Sequence, residues 1–224
     1  MNPKDLPVTY WLLIILVAVF ILQVIGTAKG IPITESLILN PTAVLQGQQL
    51  WGVFTNMFLH GGVYHILFNA IALFTFGISL ERIVGRKNLL KVFLLSGLFA
   101  SVFYILTSVF ILGSGASALG ASGAIFGVIG AMTALRPHTK IIMMFAPVPI
   151  DLWIGSIIFV LIALFWFGTG GGTGIAENAH LGGLMIGLLF GFCFKRMEKA
   201  DPDFTWNAVY APKKDPYGWI DEYR

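Results

Sequence analysis

The 224-residue sequence is poor in what most soluble enzymes rely on. Only 11% of it is charged, it has one cysteine, and no Asp, Glu, Lys or Arg occurs from Val92 to Leu135. Against 57% hydrophobic residues and a mean hydropathy of +0.83, that scarcity excludes an ordinary soluble domain. The lone Cys193 excludes an internal disulfide and leaves the redox compartment unspecified. No internal repeat of useful length is present, so a duplicated-transporter architecture has no support. No basic-aromatic module and no phosphate-cradling loop occur either: the glycine-rich GASGAIFG at 120–127 lacks the Lys of a P-loop. Neither a nucleic-acid partner nor a cofactor is expected.

What the sequence does have is a series of apolar runs, and a membrane span needs about 20 such residues. Leu6–Ala28 supplies the first. It is long for the core of a signal peptide and has no small-x-small cleavage site before Lys29, so it reads as a retained span. Ser36–Leu80 also lacks charge, but Asn40, Pro41, Gln46, Gln48, Gln49 and Asn56 make its first half polar, which places the second span at 62–80. Val92–Leu135 is too long for one helix and breaks at the GSGAS of 113–117, giving spans at 92–112 and 118–135. Residues 152–168 and 178–194 supply the last two. The expected fold class is all-α, a polytopic bundle of six transmembrane helices within residues 1–195. A polar tail, 196–224, follows with Trp206, Tyr210, Tyr217 and Trp219.

Orientation follows from the basic residues. Of the 14 Lys and Arg, only Lys29 falls on the side opposite all the others, so both termini are expected in the cytoplasm. The net charge of +3 then reflects topology.

Spans two, four and six all enter from the outer face, and their first halves carry His65 and Asn69, Ser122, and His180. Polar groups in hydrocarbon are costly unless paired or hydrated, so three helices bringing them to one depth point to a shared cavity. Each residue also has a structural reading. Ser122 can bond back to a preceding carbonyl, and His180 can be an interhelical hydrogen-bonding group. His65 and Asn69, four apart on one helical face, can cap or bridge neighbours. His60, five residues before His65 and roughly 140° around a helix from it, reads as a loop or interface residue.

The chemical reading joins them. A serine nucleophile needs a base within hydrogen-bond reach, and His180 meets Ser122 if spans four and six pack closely. Gly183, Gly187 and Gly191 repeat every four residues, and span four offers Gly123, Gly127, Gly130 and Ala134 in return. Ser122, near the start of its helix, has free backbone N–H groups nearby; His65 and Asn69 add side-chain donors for a developing oxyanion. The acids on the outer side are Glu35 and Glu177, with Glu177 expected at the surface, so a Ser–His dyad is favoured over a triad.

These residues resemble those of the rhomboid intramembrane serine proteases. HILFN (His65 to Asn69) resembles the family's H-x-x-x-N, GASG (Gly120 to Gly123) its G-x-S-G, and AHLGG (Ala179 to Gly183) its A-H-x-x-G. The likeness covers about residues 51–195 and is specific because all three motifs occur in order on spans two, four and six. It implies Ser122 as nucleophile and His180 as general base and then acid. The Ser122 amide, His65 and Asn69 would form the oxyanion site, supported by Gly120, Gly123, Phe126 and Gly183. It further implies the helix of another membrane protein as substrate, unwound near the outer leaflet of the lipid bilayer, with the site opening to the extracytoplasmic side. Helix five, with Trp153 on its cytoplasmic side, would be the movable wall, GTGGGTG (168–174) a flexible cap, and Ser36–Leu59 an interfacial first loop. Two positions depart from the pattern: Trp51-Gly52 stands where Trp-Arg is common, and Phe126 where Tyr is frequent.

Two other function classes are a rhomboid-like client-binding protein without catalysis and a channel or transporter using His60, His65 and His180. Non-catalytic members usually lack the serine or the histidine, and both are present. No H-x-x-x-H pair and no carboxylate beside the imidazoles occurs, so no metal site is expected. The compact core without an organelle-targeting segment leans toward a prokaryotic cell membrane. Nothing in the sequence speaks to natural substrate or oligomeric state.

Overall fold

An apolar run with no water to bond its backbone must satisfy each N–H and C=O internally, which a helix does. The computed structural model describes residues 6–143, 146–169 and 176–200. Among the described residues the longer helices are α1 (Val8–Ala28), α2 (Val63–Val84), α3 (Arg86–Phe110), α4 (Ser122–Leu135), α5 (Leu152–Thr169) and α6 (Glu177–Ala200). The first loop adds short helices at Ile33–Leu37, Pro41–Leu45 and Gly52–Thr55, so the helix count exceeds the six expected. Four of them, α1, α2, α3 and α6, are long and apolar enough to cross a membrane, while α4 and the Leu152–Phe165 stretch of α5 are shorter apolar helices. Six crossings are expected from the sequence; four helices reach spanning length.

Boundaries differ from the hydropathy reading for local reasons. Helix α4 starts at Ser122, not 118, because the backbone of Ala118 is paired with Leu39 in the first loop (Leu39 N–H to Ala118 O 3.0 Å, Ala118 N–H to Leu39 O 2.9 Å). Helix α3 starts at Arg86, since Lys and Arg are good helix formers and charge does not interrupt a helix. The all-α expectation needs one correction. Between α4 and α5 the chain forms an antiparallel hairpin, β1 (Lys140–Met143) and β2 (Ala146–Asp151), with Lys140 opposite Asp151 and Ile141 opposite Ile150. Prolines 147 and 149 forbid a helix there, and the β-branched Ile and Val residues suit a strand. Lys140 and His138 hold the Asp151 carboxyl down at about 2. The polar tail beyond residue 200 and residues 170–174 of the glycine-rich segment lie outside the described residues.

Helix α4 is the centre of the bundle, with 11 of its 14 residues buried. Its seam with α6 is backbone on backbone. A Cβ built on Gly183 would lie 1.9 Å from the Gly123 carbonyl oxygen, and one on Gly187 1.9 Å from that of Gly127. On Gly191 it would lie 2.5 Å from the Ala131 oxygen. The pairs advance together along both chains, so the two helices run parallel in one register. On another face of α4, Gly127 meets Ser96 of α3 at 2.1 Å from a hypothetical Cβ.

Helix α1 is largely exposed and is held at its two ends by polar side chains. At its start, the buried Glu81 carboxylate of α2 accepts from Val8 N (2.7 Å), Thr9 N (2.9 Å) and Thr9 Oγ1 (2.6 Å). That satisfies orphan amides of the first turn with a charge of the right sign. Near its end, Gln23 holds the first loop: its Oε1 accepts from His60 N (3.0 Å) and its Nε2 donates to His60 O (3.3 Å) and Thr34 Oγ1 (2.9 Å). That loop is tied to itself by Trp51 Nε1 donating to Ser36 O (2.7 Å) and Thr55 Oγ1 to Leu37 O (2.6 Å). Gly52, the departure from Trp-Arg, packs on Ile38, whose carbonyl oxygen would be 2.6 Å from a Cβ there.

Two outcomes follow. Gly187→Leu forces backbones apart and lowers the melting temperature in detergent markedly, whereas Leu189→Ala on the exposed face of the same helix leaves it within a few degrees. Glu81→Ala strands the first amides of α1 and costs about 2–4 kcal/mol in a reversible unfolding assay.

Candidate active site

Ser122 is the first residue of α4, so its own N–H has no intrahelical acceptor. His180 lies in the first turn of α6, its N–H donating to Ala176 O (3.2 Å). That turn is fixed to α3 by Asn178 Nδ2 donating to Thr107 Oγ1 at 2.7 Å, both side chains buried. With the glycine seam setting the register, Ser122 Oγ and His180 Nε2 stand 2.6 Å apart. The other imidazole nitrogen, Nδ1, is buried with no hydrogen-bond partner among the described residues. Among the described residues no carboxylate therefore orients the ring from behind. Packing does: Phe126, one turn below Ser122, lies at 4.7 Å between ring centroids and 28° to the imidazole.

Of the residues expected at the oxyanion position, His65 and Asn69 lie on α2 and Ser122 opens α4. His65 Nδ1 accepts the Gly61 N–H at 3.3 Å, so a neutral His65 ring carries its proton on Nε2. That Nε2 faces Gly120: a Cβ on Gly120 would lie 2.8 Å from it and 3.6 Å from Ser122 Oγ. Gly120 also has φ +132°, so both conformation and space demand glycine there. Asn69 is buried one turn below His65 on α2, and its Nδ2 is a donor with no partner among the described residues. Gly123 and Gly183 face one another in the seam. A cavity of about 20 Å³, room enough for a water molecule, opens beside Ser122 and is lined among others by Asn56, Ser101, Tyr104, Gly120 and Gly123.

His60 is in the loop, as its spacing from His65 indicates, but it is buried, with its ring edge-on to His65 at 5.1 Å. Burial first, and then the neighbouring His65, push its pKa down to about 4, so it stays neutral near pH 7. Sequence reasoning missed Gln23, Gly61, Thr107, Asn178 and Phe159. Gln23 and Asn178 carry a usable signal, an amide in an apolar helix that needs a partner. Phe159 carries none, being one of 19 phenylalanines. It stacks on Phe126 at 3.9 Å and 27°.

Comparison with known proteins bears on the same residues. A model of the Rhomboid domain matches residues 47–197. Rhomboid protein 1, mitochondrial, of Saccharomyces cerevisiae is 35% identical over 150 residues, which cover 63% of this chain and 41% of the yeast protein. RHOMBOID-like protein 1 of Arabidopsis thaliana is 32% identical over 162 residues (70% and 37%). Rhomboid protease GluP of Bacillus subtilis is 30% identical over 175 residues (75% and 31%). The chain thus spans less than half the length of each of these relatives. They come from a fungus, a plant and a bacterium, so they do not single out a prokaryotic membrane. The domain match runs from the first loop to α6 and takes in His65, Asn69, Ser122 and His180; the chain belongs to the rhomboid family.

Proposed function

We propose that this membrane protein is an intramembrane serine endopeptidase working through a Ser122–His180 dyad. The observation that carries the reading is the 2.6 Å contact between Ser122 Oγ and His180 Nε2, made by helices whose backbones touch. His180 Nε2 takes the hydroxyl proton as Oγ attacks the scissile carbonyl carbon. The carbonyl oxygen becomes an anion and accepts from the Ser122 N–H, the His65 Nε2–H and the Asn69 Nδ2–H. As the C–N bond breaks, His180 returns the proton to the leaving amine. Water, deprotonated by the same nitrogen, then hydrolyses the acyl-enzyme and regenerates Ser122. The relatives Rhomboid protease GluP and Rhomboid-type serine protease 2 of Emericella nidulans support the reaction class by name.

Helix length supports an intramembrane site. The 14 residues of α4 rise about 21 Å, short of a hydrocarbon core of about 30 Å. With Arg136 at its foot on the basic, cytoplasmic face, α4 begins well below the opposite surface. On this reading all six helices cross or enter the bilayer, residues 1–195 form one membrane domain with cytoplasmic termini, and the site opens to the extracytoplasmic side. The substrate is a transmembrane segment of another protein, locally unwound, because an intact helix keeps its carbonyls bonded and out of reach of Ser122.

Purified protein in detergent cuts a helix-destabilised membrane substrate, and Ser122→Ala or His180→Ala abolishes the cutting; cleavage that survives both changes rules the dyad out. Asn69→Ala lowers kcat about a hundredfold with KM little changed. Because it removes an unpaired buried donor, it does not lower the melting temperature. Parallel loss of stability and activity would assign Asn69 to packing instead.

A further inference from the structure

Among the described residues the imidazole of His180 is hydrogen-bonded on one nitrogen only, so its orientation rests on the rings beside it. Those rings come from two other helices. Phe126 of α4 lies 4.7 Å from the imidazole, Phe159 of α5 lies 5.8 Å from it at 49°, and the two phenyl rings are 3.9 Å apart. The imidazole–Phe159 separation is much shorter than the other two spans laid end to end. The three rings therefore form a triangle in which Phe159 meets both Phe126 and the base.

Helix α5 buries Leu152 and Ala163 and leaves one face exposed. It joins α4 at the Thr133–Ser156 hydroxyl pair (2.8 Å), one turn from Phe159, while Ile157, Leu161, Leu164 and Phe165 are exposed along it. Movement of α5 away from α4 removes Phe159 from the triangle and leaves the imidazole with Phe126 of the two phenyl rings. Ser122 stays, since it is set by the α4–α6 seam.

We propose that Phe159 is a positioning residue: the stack of Phe159 on Phe126 and His180 makes the reach of the base toward Ser122 depend on α5 being seated. This rests on the protease reading above and extends it. Displacing α5 to admit a substrate loosens the base, and proton transfer is restored when α5 settles back. An access wall and a positioning ring predict different kinetics, because a wall acts on large substrates alone.

The test uses the full chain in detergent with a small alkyl fluorophosphonate, which needs no helix displacement. Ser122 Oγ attacks phosphorus, its proton passes to His180, and fluoride leaves with the P–F electron pair. Phe159→Ala is expected to slow labelling about three- to tenfold, the loss of an aromatic pair. It lowers kcat on a transmembrane substrate by a similar factor with KM unchanged. Phe159→Tyr restores both rates. If Phe159→Ala melts early, Phe159→Leu, which keeps apolar bulk without the ring, shows the same slowing at wild-type stability. Wild-type labelling rates in Phe159→Leu, or a change in transmembrane cleavage alone, overturn the proposal and leave Phe159 as wall only. A wild-type chain that the probe does not label at Ser122 overturns the protease reading itself.

Discussion

Contact between the backbones of α4 and α6 is the constraint on which the rest of the molecule depends. Where hypothetical methyl groups on Gly183 and Gly187 would sit 1.9 Å from carbonyl oxygens of the facing helix, no side chain of any size is accommodated. Lipid tails are as apolar as leucine, so close approach in a membrane comes from dispersion and backbone complementarity more than from hydrophobic exclusion. The benefit is geometric: short side chains at the upper end of the seam, a hydroxymethyl and an imidazole, meet at hydrogen-bond distance without long tethers. Gly127 extends the same principle to Ser96 of α3, so three helices share one narrow axis.

Around that axis the fold leaves some buried polar groups without partners among the described residues and satisfies others, and the difference falls on residues with different roles in the packing. Asn69 Nδ2 and His180 Nδ1 are buried and unpartnered among the described residues, a cost of roughly 1–3 kcal/mol each. Glu81 with the first turn of α1, Gln23 with His60 and Thr34, and Asn178 with Thr107 are paired at 2.6–3.3 Å. Those satisfied contacts tie α1, the first loop and α6 to the bundle and offset the deficit at the site. Such an arrangement fits a centre that waits for an acceptor from outside the chain.

Much of this was legible in the sequence, and the reasons are local. Hydropathy located the helices because each satisfies its backbone within a continuous stretch. The four-residue glycine repeat in α6 read as a packing face because its period matches one helical turn. His65, Asn69, Ser122 and His180 stood out because polar residues are rare in apolar surroundings. The β1–β2 hairpin escaped because its prolines and β-branched residues carry only a short-range signal between two long helices. Gly52 reads in the sequence only as a departure from Trp-Arg, and its contact with Ile38 shows a site with no room for a side chain.

A membrane class, the approximate helix positions and the identity of the polar residues were readable from the amino-acid order alone, since these follow from composition and from spacing along single helices. That Ser122 and His180 meet, that Glu81 caps a helix whose Thr9 lies 72 residues away, and that Phe159 reaches the imidazole came from the packed fold. Those facts are distances between residues far apart in the chain. They are set by how whole helices pack, which no local pattern encodes.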